Sequence, residues 1–144
     1  MSACKQVTVN LYDSGNNLVG TAVIAAGDPS HNFIITPVDP GTYNAEAKAE
    51  GFLRAEGSAT ITSGGTTTMP DLTLLPGDIN GENSSDADDV INQWDALTIG
   101  MNYNGTTPTD ADLNNDGVIN VLDLELLASS YRETGPTVWE LSYP

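Results

Sequence analysis

Histidine, cysteine and basic residues are scarce in this chain. His31 and Cys4 stand alone, and four lysines and arginines face twenty acids. A lone cysteine excludes an internal disulfide and leaves the redox compartment unread. His31 has no serine–acid constellation around it and reads as a solvent-exposed residue at the start of a strand. No credible nucleophile or acid–base pair remains, so catalysis is the least favoured class of function. No apolar run is long enough to span a membrane, and no cleavable leader opens the sequence. Met1-Ser2-Ala3-Cys4 reads as an incidental start, not as the trimmed remnant of a lipoprotein signal, and the chain is expected to be excised from a longer protein.

What is present is acid. The formal net charge is −16 over 144 residues. Such a surface repels phosphates and anionic lipid heads, which excludes nucleic acid and membrane surfaces as partners. The charge is unevenly placed. Seven acids and three bases precede Pro76, whereas thirteen acids and one base, Arg132, lie from Pro76 onward.

The first half, residues 5–75, alternates apolar and polar residues in short runs separated by turn signals, the pattern of an all-β sandwich. Val7, Val9 and Leu11 share one face of a first strand. Leu18 to Ala26 forms a second, and Phe33 and Ile35 mark a third. The Asp39-Pro40-Gly41 turn leads into Thr42 to Glu50, where Tyr43, Ala45, Ala47 and Ala49 share a face. Ser58 to Thr62 and Thr67 to Leu75 supply two more strands around Ser63-Gly64-Gly65.

Gly20, Phe33, Pro40-Gly41-Thr42-Tyr43, Ala49-Glu50-Gly51-Phe52 and Leu72-Thr73-Leu74 together resemble the carboxypeptidase regulatory-like, prealbumin-type sandwich. That resemblance implies a non-catalytic spacer or interaction module of secreted bacterial proteins. Related collagen-adhesin sandwiches carry an isopeptide bond, for which Lys5, Glu46 and Asp71 are the candidates here. Glu46 lies opposite Tyr43, Ala45 and Ala47, towards solvent, which argues against one.

The second half, residues 76–144, carries two twelve-residue stretches rich in side-chain oxygens. Asp112-Leu113-Asn114-Asn115-Asp116-Gly117-Val118-Ile119-Asn120-Val121-Leu122-Asp123 has Asp or Asn at its first, third, fifth, ninth and twelfth positions and glycine at its sixth. A hard cation such as calcium takes six to eight oxygens, and this spacing supplies them from side chains and the carbonyl of the seventh residue, Val118. Gly117 sits where the chain turns sharply.

A counterpart begins thirty-four residues earlier, from Asp78 to Asp89. Its ligand candidates are Asp78, Asn80, Glu82, Ser84, Asp86 and Asp89. Glu82 is longer than Asp116 and reaches the ion directly, through a water, or swings out. Asn83 replaces the turn glycine and tolerates the left-handed region. A helix is expected after each loop, with Val90, Ile91, Trp94 and Leu97 on the inner face of the first and Leu124, Leu127 and Tyr131 on that of the second.

Duplicated loops with Asp at the twelfth position, the entry Gly77-Asp78-Ile79-Asn80-Gly81, and Asp116-Gly117-Val118-Ile119-Asn120 before Asp123-Leu124 resemble the dockerin module over Gly77 to about Glu133. The resemblance implies two calcium ions, calcium-dependent folding, and binding to a cohesin on a scaffold or cell-surface protein. It also implies contact residues: Ala87, Asp88 and Asp95, with the helix-spaced Trp94 assigned to the core, and Val121, Leu122, Ala128 and Ser129.

The two sets differ, one acidic and one apolar, so a single docking orientation centred on Val121 and Leu122 is expected. The tail from Gly135 to Pro144 alternates about Trp139, Leu141 and Tyr143 and is expected to clasp one of the modules. The whole reads as two domains, an N-terminal all-β sandwich (5–75) and a small all-α dockerin (76–144), in a non-catalytic adaptor of the bacterial cell exterior. The alternative is a structural calcium module of a secreted adhesin or carbohydrate-binding protein without a cohesin partner.

Overall fold

Alternation of apolar and polar residues produces one sheet. The computed structural model describes residues 5–27, 32–35, 39–70, 72–79 and 90–139. Strands β1 (Val7–Tyr12), β2 (Leu18–Ile24), β3 (Gly41–Ala49), β4 (Ala55–Ile61) and β5 (Thr137–Val138) form a five-stranded sheet in the order β2-β1-β3-β4-β5. All neighbours are antiparallel except β4 and β5, which run parallel.

The register aligns Val9 with Ala47 and Leu11 with Ala45, and Ala47 in turn with Ala55, so one face is apolar. The small side chains of β3 and β4 leave room for large ones above them. Phe33, Ile35, Met69, Leu72, Leu74 and the buried Trp139 fill that space. The Trp139 indole donates Nε1–H to the Pro70 carbonyl at 2.7 Å and meets the Phe33 ring edge-on at 5.9 Å.

The opposite face is polar. Arg54 pairs with Glu46 at 3.2 Å and Glu56 at 2.5 Å, and Thr21 donates to Asn10 at 2.8 Å. Glu46 therefore faces away from the alanines, as the alternation predicts, but it is held by Arg54. Lys5 instead donates to the Thr109 carbonyl at 2.6 Å and pairs with Glu50 at 3.6 Å. Glu46 and Lys5 thus have different partners, and Asp71 lies outside the described residues.

Two nine-residue helices, α1 (Gln93–Met101) and α2 (Val121–Ser129), follow, with a 3-10 turn at Thr109–Ala111 between them. Their shared core holds Ile79, Ile91, Ile99, Leu113, Ile119 and Leu127. Leu53, from the connection between β3 and β4, is buried in this same cluster, with Phe52 packed beside it. Leu53 N–H donates to the Leu75 carbonyl at 2.9 Å, Gly77 N–H to the Gly51 carbonyl at 2.8 Å, and Phe52 bridges Pro76.

The expected layout of a sandwich followed by an all-α module is overturned by this sheet. Among the described residues every named strand belongs to one sheet. The segments at Phe33–Ile35 and within Thr67–Leu75 cover it without joining it. Their alternation was a true signal of one buried face, which a covering segment shares with a strand; hydrogen-bond pairing separates the two. The second half is not all-α either. Thr137 and Val138 pair with Ala55 and Glu56, so the second half itself adds a strand to the sheet, and among the described residues it holds two short α-helices.

Candidate paired-loop site

The loop from Asp112 folds on its own side chains. Asn115 (φ 58°) and Gly117 (φ 93°) are left-handed, which wraps the backbone around the carboxylate of Asp112. That carboxylate accepts the amides of Asp116 at 3.2 Å and Gly117 at 2.9 Å. Asn114 Oδ1 accepts Asp116 N–H at 3.2 Å, and Asp116 Oδ1 accepts Val118 N–H at 3.0 Å. Asn120 caps α2 by accepting Leu122 N–H at 2.8 Å. Asp123, in the first turn, is fully buried. Its Oδ2 accepts Asn120 N–H at 2.8 Å, and its Oδ1 reaches back to Leu113 N–H at 2.7 Å. The negative charge sits where the helix dipole favours it.

The same construction recurs at α1. Asn92 caps the helix by accepting Trp94 N–H at 2.9 Å. Asp95 Oδ2 accepts Asn92 N–H at 2.7 Å, and Oδ1 reaches back to Ile79 N–H at 2.8 Å. Asp78 and Asp95 are both fully buried.

The two units also clasp each other. Ile119, in the second loop, pairs with the residues after α1: Asn104 N–H donates to its carbonyl at 2.7 Å and its own N–H to Gly105 at 2.8 Å. Ile91 does the same with the residues after α2: Arg132 N–H donates to its carbonyl at 2.8 Å and its N–H to Glu133 at 2.9 Å. Asn104 and Arg132 occupy the left-handed region at matching places, φ 65° and 74°.

This equivalence moves the end of the first loop. Asp95 plays the part of Asp123, twenty-eight residues before it, whereas Asp78 precedes Asp112 by thirty-four. By this equivalence the span from Asp78 to Asp95 is six residues longer than that from Asp112 to Asp123. Helix α1 starts after Val90 and Ile91, not with them. Asn80, Glu82, Ser84, Asp86, Ala87, Asp88 and Asp89 lie outside the described residues. Asn92 and Asp95 are the functional candidates that counting forward from Asp78 misses. Their signal is the Asn-x-x-Asp capping box shared with Asn120 and Asp123.

The donor set suits a hard cation. Asp112, Asn114, Asp116, Asn120, Asp123 and the Val118 carbonyl offer oxygen only, and a carboxylate oxygen that accepts one amide keeps a second lone pair. Among the described residues, no three acids, histidines or cysteines are drawn together as a metal cluster, because the carboxylates here are turned onto loop amides.

Beside the loop entry, the Thr109 hydroxyl donates to Glu50 at 2.5 Å. Burial pushes the Asp110 carboxyl above the ordinary carboxylate range, Glu50 adds to the rise and Lys5 opposes it. Gly51, at φ 83°, faces the Asp110 carbonyl and the Leu113 side chain so closely that a β-carbon has no room there. The sheet therefore abuts the start of the second loop.

Of the expected contact residues, Val121 (57% exposed) and Leu122 (47%) do face outward, as do Ala128 and Ser129. Asp95 does not, since its carboxylate is spent inside. Trp94, assigned to the core by its spacing from Val90, is 60% exposed. Val90 precedes the helix, so that spacing never formed.

No protein-family model matches the chain, and no curated protein matches it. Among solved structures it is similar to an N-terminal interface mutant of the type II Cohesin–X-Dockerin complex from Acetivibrio cellulolyticus. The match has 22% identity and a TM-score of 0.63, over 92% of this chain and 83% of the other. A C-terminal interface mutant of that complex matches with 24% identity and a TM-score of 0.62, over the same shares. At these identities the likeness is one of fold, and it extends over most of both chains.

Proposed function

We propose that this chain is a non-catalytic, calcium-dependent docking module that takes the dockerin side of a cohesin–dockerin pair and attaches its parent protein to an extracellular bacterial scaffold. The reading rests above all on the repeated unit in which a loop aspartate, an Asn helix cap and a buried first-turn aspartate recur at both helices, each loop clasping the exit of the other helix. The complexes similar in fold contain both a cohesin and an X-dockerin, and paired oxygen-rich loops leading into helices favour the second role.

Calcium would be held in the second loop by Asp112, Asn114, Asp116, Asn120, Asp123 and the Val118 carbonyl, and in the first by Asp78 and Asp95 with oxygens of the intervening acidic stretch. Bound calcium supplies positive charge that offsets the mutual repulsion of these carboxylates and couples metal loading to folding. The protein's own part is positional. The capping carboxylates fix where each helix starts, and the clasps at Ile91 and Ile119 fix how the helices lie together, so that their outer faces meet a partner as one surface.

The test is a calorimetric titration of the chain against a panel of cohesins, with calcium and with EDTA. Binding that needs calcium supports the reading. Calcium uptake without capture by any cohesin instead supports a structural calcium module of a secreted adhesin.

A further inference from the structure

Exposed apolar side chains are ordinary one at a time and informative when they line up. On α1, Trp94, Leu97 and Met101 are spaced three and four residues apart, which puts them in one row along the helix. They are 60%, 47% and 75% exposed. Helix α1 has one charged residue, Asp95, and it points inward to Ile79 and Asn92. In a chain of net charge −16, the outer face of this helix is therefore uncharged as well as apolar. Helix α2 differs: Glu125 is exposed among its outward residues, and its exposed large apolar side chains, Val121, Leu122 and Leu124, are confined to the first turn.

We propose that the row Trp94–Leu97–Met101 is the dominant anchor for the partner, and that Val121 and Leu122 form its flank. This rests on the docking function proposed above and reverses the order of importance that the sequence suggests. A large exposed indole beside a flexible thioether, free of charge, has the composition of an interface centre, where charged residues are depleted and Trp is the commonest energetic hot spot. The occupant is a different protein, not a second copy of this one. Two copies meeting here would bring two chains of −16 together, and that repulsion opposes self-association. The face fits a cohesin that offers an apolar recess for the indole inside a neutral or basic rim.

The experiment measures cohesin affinity in calcium for the wild-type chain, Trp94→Ala, Met101→Lys and the double variant Val121→Ala/Leu122→Ala. Circular dichroism follows the fold, and light scattering follows the mass. Trp94→Ala is expected to weaken binding about thirtyfold or more, Met101→Lys by a comparable factor, and the α2 pair by less. Acrylamide quenching of the wild-type chain gives a readout that needs no variant. Of the two tryptophans, Trp139 is already buried, so partner addition must protect Trp94.

Cohesin binding within about threefold of wild type for both α1 variants, or no protection of Trp94, overturns the anchor while leaving the docking function intact. If the wild-type chain captures no cohesin, the docking function falls and the anchor falls with it. Concentration-dependent dimerisation that Trp94→Ala abolishes assigns the row to a second copy and overturns the choice of occupant.

Discussion

Asp95 and Asp123 do the same work twenty-eight residues apart: each sits buried in the first turn of its helix and accepts the amide of the residue that follows its loop's first aspartate, Ile79 at 2.8 Å and Leu113 at 2.7 Å. A buried carboxylate that satisfies two amides, as Asp95 does, or three, as Asp123 does, is costly to replace, because removing one acceptor strands a donor away from water. Asp95→Asn and Asp123→Asn should each destabilise the calcium-free chain by about 2 kcal/mol in urea unfolding. Each should also remove one calcium ion from the stoichiometry read by calorimetry. Asp89→Asn should change neither. If Asp89→Asn costs an ion and Asp95→Asn does not, the twelve-residue loop ending at Asp89 is restored.

The carbonyl of Trp139 lies against Gly57 in β4, where a β-carbon has no space. Gly57→Ala should therefore push the closing segment off the sheet and expose the indole, seen as a red shift of tryptophan emission. Trp139→Ala leaves β5 its backbone pairing but empties the space above Ala45, Ala47 and Ala55. A loss of about 3–5 kcal/mol is expected, as for other buried aromatics cut to alanine. Equal stability of both variants and wild type in urea would show that the tail does not hold the sheet.

What could be read in the sequence was whatever is written locally. The second loop is a run of adjacent oxygen donors around Gly117, and no distant residue is needed to recognise it. The strand faces of β1 and β3 follow from alternation alone, and the alternation in the tail separates Trp139, which is buried, from Val138, which is exposed.

What failed depended on knowing where a helix begins or what a strand pairs with. Helix α1 starts after Asn92 and not at Val90, and that start decided the exposure of Trp94 and the burial of Asp95. Counting back from the repeated Asn-x-x-Asp box would have found the offset. The single sheet was not legible, since residues that cover it, such as Phe33 and Ile35, alternate as those of a paired strand do.

Asp110 gives a pH test. Burial first, and Glu50 second, raise its carboxyl above the ordinary range. An acid whose value is raised on folding binds its proton more tightly in the native state, so stability falls as pH climbs from the unfolded value through the folded one. In calcium-free buffer, the urea midpoint of wild type relative to Asp110→Asn should drop as pH is raised from about 4 to 6. The difference should level off above that range. The carboxyl still sees solvent, so the effect stays below about 1 kcal/mol. A wild-type midpoint that instead rises relative to Asp110→Asn as pH climbs would contradict the raised value.

Leu53 decides whether the sheet and the helices are one cooperative unit. It stands in the connection between β3 and β4, yet it is buried with Ile79, Ile91 and Leu127. The Leu53 amide and the Gly51 carbonyl also tie that connection to Leu75 and Gly77. Leu53→Ala opens a cavity in the helical core from the connection between two strands of the sheet and should cost about 2–5 kcal/mol. Because the damage is shared, sheet and helix signals should move together. Far-UV circular dichroism at helix- and strand-weighted wavelengths, with Trp139 emission as a third probe, should report coincident transitions in wild type and variant alike. Chelation by EDTA should lower that single midpoint without splitting it, since the loop entry at Asp110 rests against Gly51. Two separated transitions, with only the helical one moved by Leu53→Ala or EDTA, would mean that the contact is packing without energetic coupling.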